Sequence, residues 1–207
     1  MRNDDPLVIA GVTAIRTGDL ATLERLLAEN SDLANVQIEG RKGGYRTPLH
    51  VVADWPGYFP NGPAVVRLLL AHGADPNGGA EGFLQLQLQL QLQGRQETPL
   101  HWAASSDDVD VAEALIDGGA DIEAPGGSIA GGTPLDNAVG YGCWRVARLL
   151  VQRGVSVDKL WRWCRGCRNA ARAQPVGRGT RVALQAVFRR SRLKFRAASA
   201  TSVQTRK

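Results

Sequence analysis

The chain has 207 residues, 43% of them apolar and 22% charged, enough for a continuous core in one domain or a short array. No apolar run reaches the roughly 18 residues needed to span a bilayer, and three cysteines, Cys143, Cys164 and Cys167, do not make a disulfide framework. The formal charge of +5 averages two unlike parts. All 20 acidic residues lie at or before Asp158 with 11 of the 25 lysines and arginines, so residues 1–158 carry −9. Residues 159–207 contain no acid and carry +14. Such a break marks a boundary between different kinds of polypeptide, 1–158 and a basic tail.

Met1-Arg2-Asn3-Asp4-Asp5 lacks the basic start and apolar centre of a signal peptide, and a cytoplasmic location is expected. Pro6-Leu7-Val8-Ile9-Ala10 can open a helix, and Gly18-Asp19 marks a turn. Leu20, Leu23, Leu26 and Leu27 then form a stripe at helical spacing. Residues 37–46, with Gly40, Gly43 and Gly44, read as a connection.

Thr47-Pro48-Leu49-His50 follows, and the pattern returns at Thr98-Pro99-Leu100-His101 and at Thr133-Pro134-Leu135-Asp136. Each copy predicts a helix start, with Thr as N-cap and Pro at the first helical position, where its missing N–H is harmless. Downstream of each copy an apolar helical face ends in glycine, at Gly73, Gly119 and Gly154. Thr98 to Gly119 and Thr133 to Gly154 are both 21 positions, whereas Thr47 to Gly73 is 26.

The extra residues fall in Asp54-Trp55-Pro56-Gly57-Tyr58-Phe59-Pro60-Asn61-Gly62-Pro63, which cannot continue a helix. Its aromatics have two readings: a plug folded over the helix ends, or an exposed anchor for a partner. A second excess, between Asp75 and Thr98, is nearly all residues 84–93, Leu-Gln five times over. Strict alternation suits a half-buried strand, and an uncharged run of this kind carries a risk of edge-to-edge association. Dipeptide repetition also reads as slippage in the coding DNA. Ala103-Ala104 supplies a small pair for close helix approach, and Trp102 before it is expected in the core.

These starts, glycine ends and spacings resemble the ankyrin repeat, of the bacterial type, whose Thr-Pro-Leu-His signature and roughly 33-residue period are distinctive. The resemblance implies an all-α solenoid of about four helix-turn-helix repeats, 6–36, 47–77, 98–123 and 133–158, joined by finger loops. The first lacks the signature, as terminal repeats do. Asp136 and Asn137 depart from the family's His and apolar residue, so the last repeat is expected to be less well packed. The implied function is recognition of another protein by a monomer, through the concave face and fingers, with no catalysis and no cofactor. Contact positions carried over are Asp54, Trp55, Ser105, Ser106 and Tyr141, with Tyr45, Arg46, Arg95 and Glu97 on fingers. Tyr58 and Phe59 join them if the aromatic loop is an anchor. The acid excess of 1–158 favours a basic partner surface.

His50 and His101 are structural in this family. Cys143 has no activating His or Asp at a motif spacing. Asp107, Asp108 and Asp110 read as a solvated acidic edge. Cys164-Arg165-Gly166-Cys167 has the spacing of half a zinc site or of a redox pair, but no second Cys or His pair follows and no thioredoxin-like βαβ setting surrounds it. The tail, with Val182, Leu184, Val187, Phe188, Leu193 and Phe195 among basic residues, has three readings. It suits a basic amphipathic helix for nucleic acid or an anionic membrane, a disordered extension, or a shifted reading frame from about Arg162.

Overall fold

The computed structural model describes residues 2–39, 44–80, 96–129 and 132–156, all within the compact unit Met1–Leu160. The Leu-Gln run, Arg95, Cys164, Cys167 and the basic tail lie outside the described residues.

Repeat 1 consists of helices α1, Pro6–Thr17, and α2, Leu20–Glu29, followed by a 3-10 turn, Ser31–Asn35. Asp5 caps α1 by accepting the Leu7 N–H at 2.9 Å, and Asp19 caps α2 through Thr22 at 3.0 Å. The Thr22 hydroxyl and then the Thr22 N–H, both bonding the charged form, hold the Asp19 carboxyl below its usual range. Gly18 turns the chain between the helices at φ +68°, and the loop of the next repeat lies against it. A Cβ there would stand 2.2 Å from the Pro60 carbonyl oxygen, so both conformation and contact require glycine.

Repeats 2 to 4 are α3, Pro48–Ala53, with α4, Gly62–Ala71; α5, Pro99–Ser106, with α6, Val109–Asp117; and α7, Pro134–Tyr141, with α8, Trp144–Gln152. The first helices α1, α3, α5 and α7 pack in that order, and α2, α4, α6 and α8 do the same behind them. Leu49, Leu100 and Leu135 of the front layer and Leu69, Leu115 and Leu150 of the rear are all almost inaccessible. Burial stabilises the stack by roughly 1.5–3 kcal/mol for each such leucine. Ala103 and Ala104 are fully buried, as a close helix approach needs.

The predicted starts close as capping boxes at Thr47, Thr98 and Thr133. The N–H groups of Thr47 and Thr98 donate to Nδ1 of His50 and His101 at 3.2 and 3.0 Å. A main-chain N–H can only donate, so Nδ1 is bare and Nε2 carries the proton. Nε2 then donates to the carbonyl of Glu97 in one case, at 2.9 Å, and of Gly132 in the other, at 3.1 Å. Each imidazole thus ties its repeat to the segment that enters the next. Burial pushes the His50 pKa down to about 4 and lowers that of His101 as well.

The connections are tied too. β1, Ile38–Glu39, pairs antiparallel with β2, Tyr45–Arg46. Asn35 donates to the Gly73 carbonyl at 2.7 Å and accepts the Asp75 N–H at 2.8 Å. Asn77 repeats this on Gly119 and Asp121 at 3.2 and 2.8 Å.

The stems of the second finger meet in a bridge, Ala80 N–H donating to Glu97 O at 2.7 Å. Deleting residues 84–93 should therefore leave the melting temperature nearly unchanged, since halving a loop alters closure by only about 0.6 kcal/mol. A fall of many degrees would show that the run packs on the stack.

Repeat 1 leaves a void of about 10 Å³ beside Gly11, in mid-helix. A Cβ at Gly11 would meet both Leu33 methyls at 3.8 Å, ordinary contact. Gly11→Ala should stabilise the fold by about 0.5–1 kcal/mol through helix propensity. An unchanged or lower thermal midpoint would refute this.

Candidate functional site

The 26-position spacing of repeat 2 builds the site. The loop from Asp54 to Asn61 is pinned at both ends and in the middle. Asn61 donates to the Gly18 carbonyl at 2.9 Å, on repeat 1. The Tyr58 N–H reaches the Asp108 carboxylate of repeat 3, and its hydroxyl donates to the Asp107 carbonyl at 2.5 Å. Arg145 of repeat 4 donates to that hydroxyl and lies over the ring, 5.3 Å from its centre. Phe59 is half-buried under the Arg16 guanidinium at 5.8 Å. Trp55, on the same loop, is 79% exposed. The two readings of the aromatics thus divide by residue: Tyr58 and Phe59 hold the loop down, and Trp55 stands out from it.

Asp107 and Asp108 are not a solvated edge. Asp108 is buried and caps α6 by accepting the Val111 N–H at 3.1 Å, besides holding Tyr58. Asp107 accepts the N–H groups of Arg145 and Val146, both at 3.0 Å, capping α8 from the neighbouring repeat. Among the described residues no cluster of His, Cys, Asp and Glu could hold a metal ion.

Beside the pinned loop a groove of about 460 Å³ crosses repeats 2 to 4, lined by Asp54, Trp55, Glu97, Trp102, Ser105, Ser106 and Tyr141. Its size lies within the roughly 300–1,000 Å³ of ligand-binding clefts. Six of its lining positions are among the contact positions expected from the sequence. Tyr45 lies half-exposed on the first hairpin, while Arg46 turns back to pair with Asp54 at 3.0 Å.

Two members were not foreseen. Trp102 is not enclosed in the core; it is half-buried, edge-on to His50 at 5.1 Å, and lines the groove. Asn137, expected to loosen the last repeat, is 0% exposed and organises the groove from below. Its amide donates to Glu97 Oε1 at 2.9 Å and to Ser105 Oγ at 3.3 Å, and its oxygen accepts the Ile129 N–H at 3.3 Å. Ser128 N–H also donates to Glu97 Oε1, at 2.8 Å, and its hydroxyl meets Tyr141 Oη at 3.2 Å. Asp136 reproduces the inner half of the histidine role, accepting from Thr133 N–H and Oγ at 3.0 and 2.6 Å.

Sequence comparison agrees with this architecture. The profile of the single ankyrin repeat matches residues 45–78, and that of ankyrin repeats in three copies matches residues 79–160. The chain belongs to the ankyrin-repeat family. No curated protein matches it. Residues 6–39, outside both matches, nevertheless supply the first helix pair of the ankyrin stack.

Ankyrin repeats are generally protein-interaction modules. Both ring nitrogens of His50 and of His101 are engaged. The Cys143 thiol donates to the Ser105 carbonyl at 3.2 Å, and burial pushes its pKa up to about 11. It is therefore protonated near neutrality, in the unreactive form. No helix among the described residues is long and apolar enough to cross a membrane.

Proposed function

We propose that this ankyrin domain recognises another protein through the groove between Trp55 and Tyr141, without catalysis. The observation that carries the reading is the contrast within one loop. Tyr58 and Phe59 are committed to the neighbouring repeats, and that commitment presents Trp55 to solvent in a fixed place. Exposing a large aromatic is costly unless something covers it, and a rigid tryptophan loses little entropy on binding. Tyr141, 56% exposed at the other side of the groove, adds a second such surface.

Trp55→Ala and Tyr58→Ala therefore separate binding from folding. Trp55→Ala should leave the melting temperature unchanged and abolish retention of proteins that the wild-type chain captures reproducibly after cross-linking. Tyr58→Ala should lower stability by about 1–2 kcal/mol, through the lost hydroxyl bond and the lost Arg145 stacking. Undiminished capture by Trp55→Ala, at unchanged stability, would refute the groove as the contact surface.

A further inference from the structure

The groove has a chemical asymmetry that its shape does not explain. Its lining includes two carboxylates and three aromatic rings, but no lysine or arginine. The two carboxylates differ in what already holds them. Asp54 is paired with Arg16 at 3.2 Å and Arg46 at 3.0 Å, neither of which lines the groove. Glu97 has neutral donors, the Asn137 amide and the Ser128 N–H, both on Oε1. No cation among the described residues pairs with it. Neutral donors fix the orientation of a carboxylate and leave its charge in place.

Three occupants can be weighed against that arrangement. An anionic group would be repelled by Glu97. A purely apolar side chain would strip water from the carboxylate and return no partner, which costs several kcal/mol. A guanidinium satisfies every element: its fork of N–H donors matches a carboxylate, and its flat face stacks on aromatic rings, whose faces attract cations. The acid excess of residues 1–158 adds attraction at longer range.

We infer that the groove takes an arginine side chain from a segment of the partner protein, its guanidinium on Glu97 and its plane against the rings of Trp55 and Trp102. The inference rests on the groove being the recognition surface, and the experiment below separates the two.

Three short Gly/Ser peptides with arginine, citrulline or leucine at the centre are titrated into the full chain. Binding is read from the indole N–H signals of Trp55 and Trp102. The arginine peptide should shift both indoles. Citrulline, of the same shape but without charge, should bind weaker by about tenfold or more. Glu97→Gln keeps an oxygen for Asn137 and Ser128, so it should preserve the melting temperature and the citrulline response. It should also reduce affinity for the arginine peptide by about tenfold or more. Leucine or citrulline binding as tightly as arginine, or arginine binding unaffected by Glu97→Gln, would overturn the arginine inference and leave the groove standing. If no peptide moves either indole, the arginine inference fails, and the groove itself stands or falls on capture by Trp55→Ala.

Discussion

Acidification from pH 7 to pH 4 should remove about 3 kcal/mol of stability through His50 alone. The imidazole is buried, and its pKa falls from 6.5 in the unfolded chain to about 4 in the fold. The unfolded chain therefore takes up a proton first as pH drops. Stability is intact above pH 6.5, declines through the window from 6.5 to about 4, and has lost this contribution below it. At pH 5 the loss is about 2 kcal/mol. His101 is shifted in the same direction by the same cause and adds to the effect. Urea midpoints at pH 7, 5.5 and 4.5 test this directly. His50→Gln should be less stable at neutral pH but show a shallower pH dependence, by about one proton. An identical slope in that variant would assign the acid lability to carboxylates.

Asp108→Ala should destabilise the domain by about 3 kcal/mol, more than an ordinary cap. Losing the N-cap of α6 accounts for about 1 kcal/mol. The Tyr58 N–H, left without its acceptor, accounts for about 1–3 kcal/mol more. Asp108→Asn retains one oxygen and should recover part of the loss. Equilibrium unfolding in urea reports both. A cost below about 1 kcal/mol would mean that the loop stays anchored by the Tyr58 hydroxyl and Asn61.

Legibility in the sequence followed the range of the interactions. Thr-Pro-Leu starts, glycine ends and the Leu stripe of α2 depend on residues within one helical turn, and those helices were readable. The 26-position spacing in repeat 2 also announced the loop, and six of the contact positions carried over from the family line one groove, whereas Tyr45 and Arg46 lie outside it. What escaped were roles defined by partners 31 to 50 residues away. Asn137 looked like a packing defect because its partners, Glu97 and Ser105, sit on other repeats. Asp107 and Asp108 looked solvated because their acceptor roles belong to α8 and to Tyr58. Trp102 follows a buried histidine, yet one residue along a helix turns the side chain by about 100°, and that step carries it out of the core and onto the groove. Tyr58 and Trp55, three positions apart in one loop, differ only in what the neighbouring repeats offer them.

Tyr58 also changes how this solenoid comes apart. In an ordinary repeat array each unit touches only its neighbours, so stability sums along a one-dimensional chain and end units fray independently. Here a side chain of repeat 2 holds both Asp107 of repeat 3 and Arg145 of repeat 4. That is a next-nearest-neighbour coupling, which a nearest-neighbour Ising description omits. Fraying of the last repeat removes the Arg145 contact from Tyr58, which then keeps only its bonds to Asp107 and Asp108 of repeat 3. The loop that carries Trp55 is therefore coupled to the C-terminal end of the stack through Arg145, and opening of repeat 4 loosens that loop although repeat 3 lies between them in sequence order.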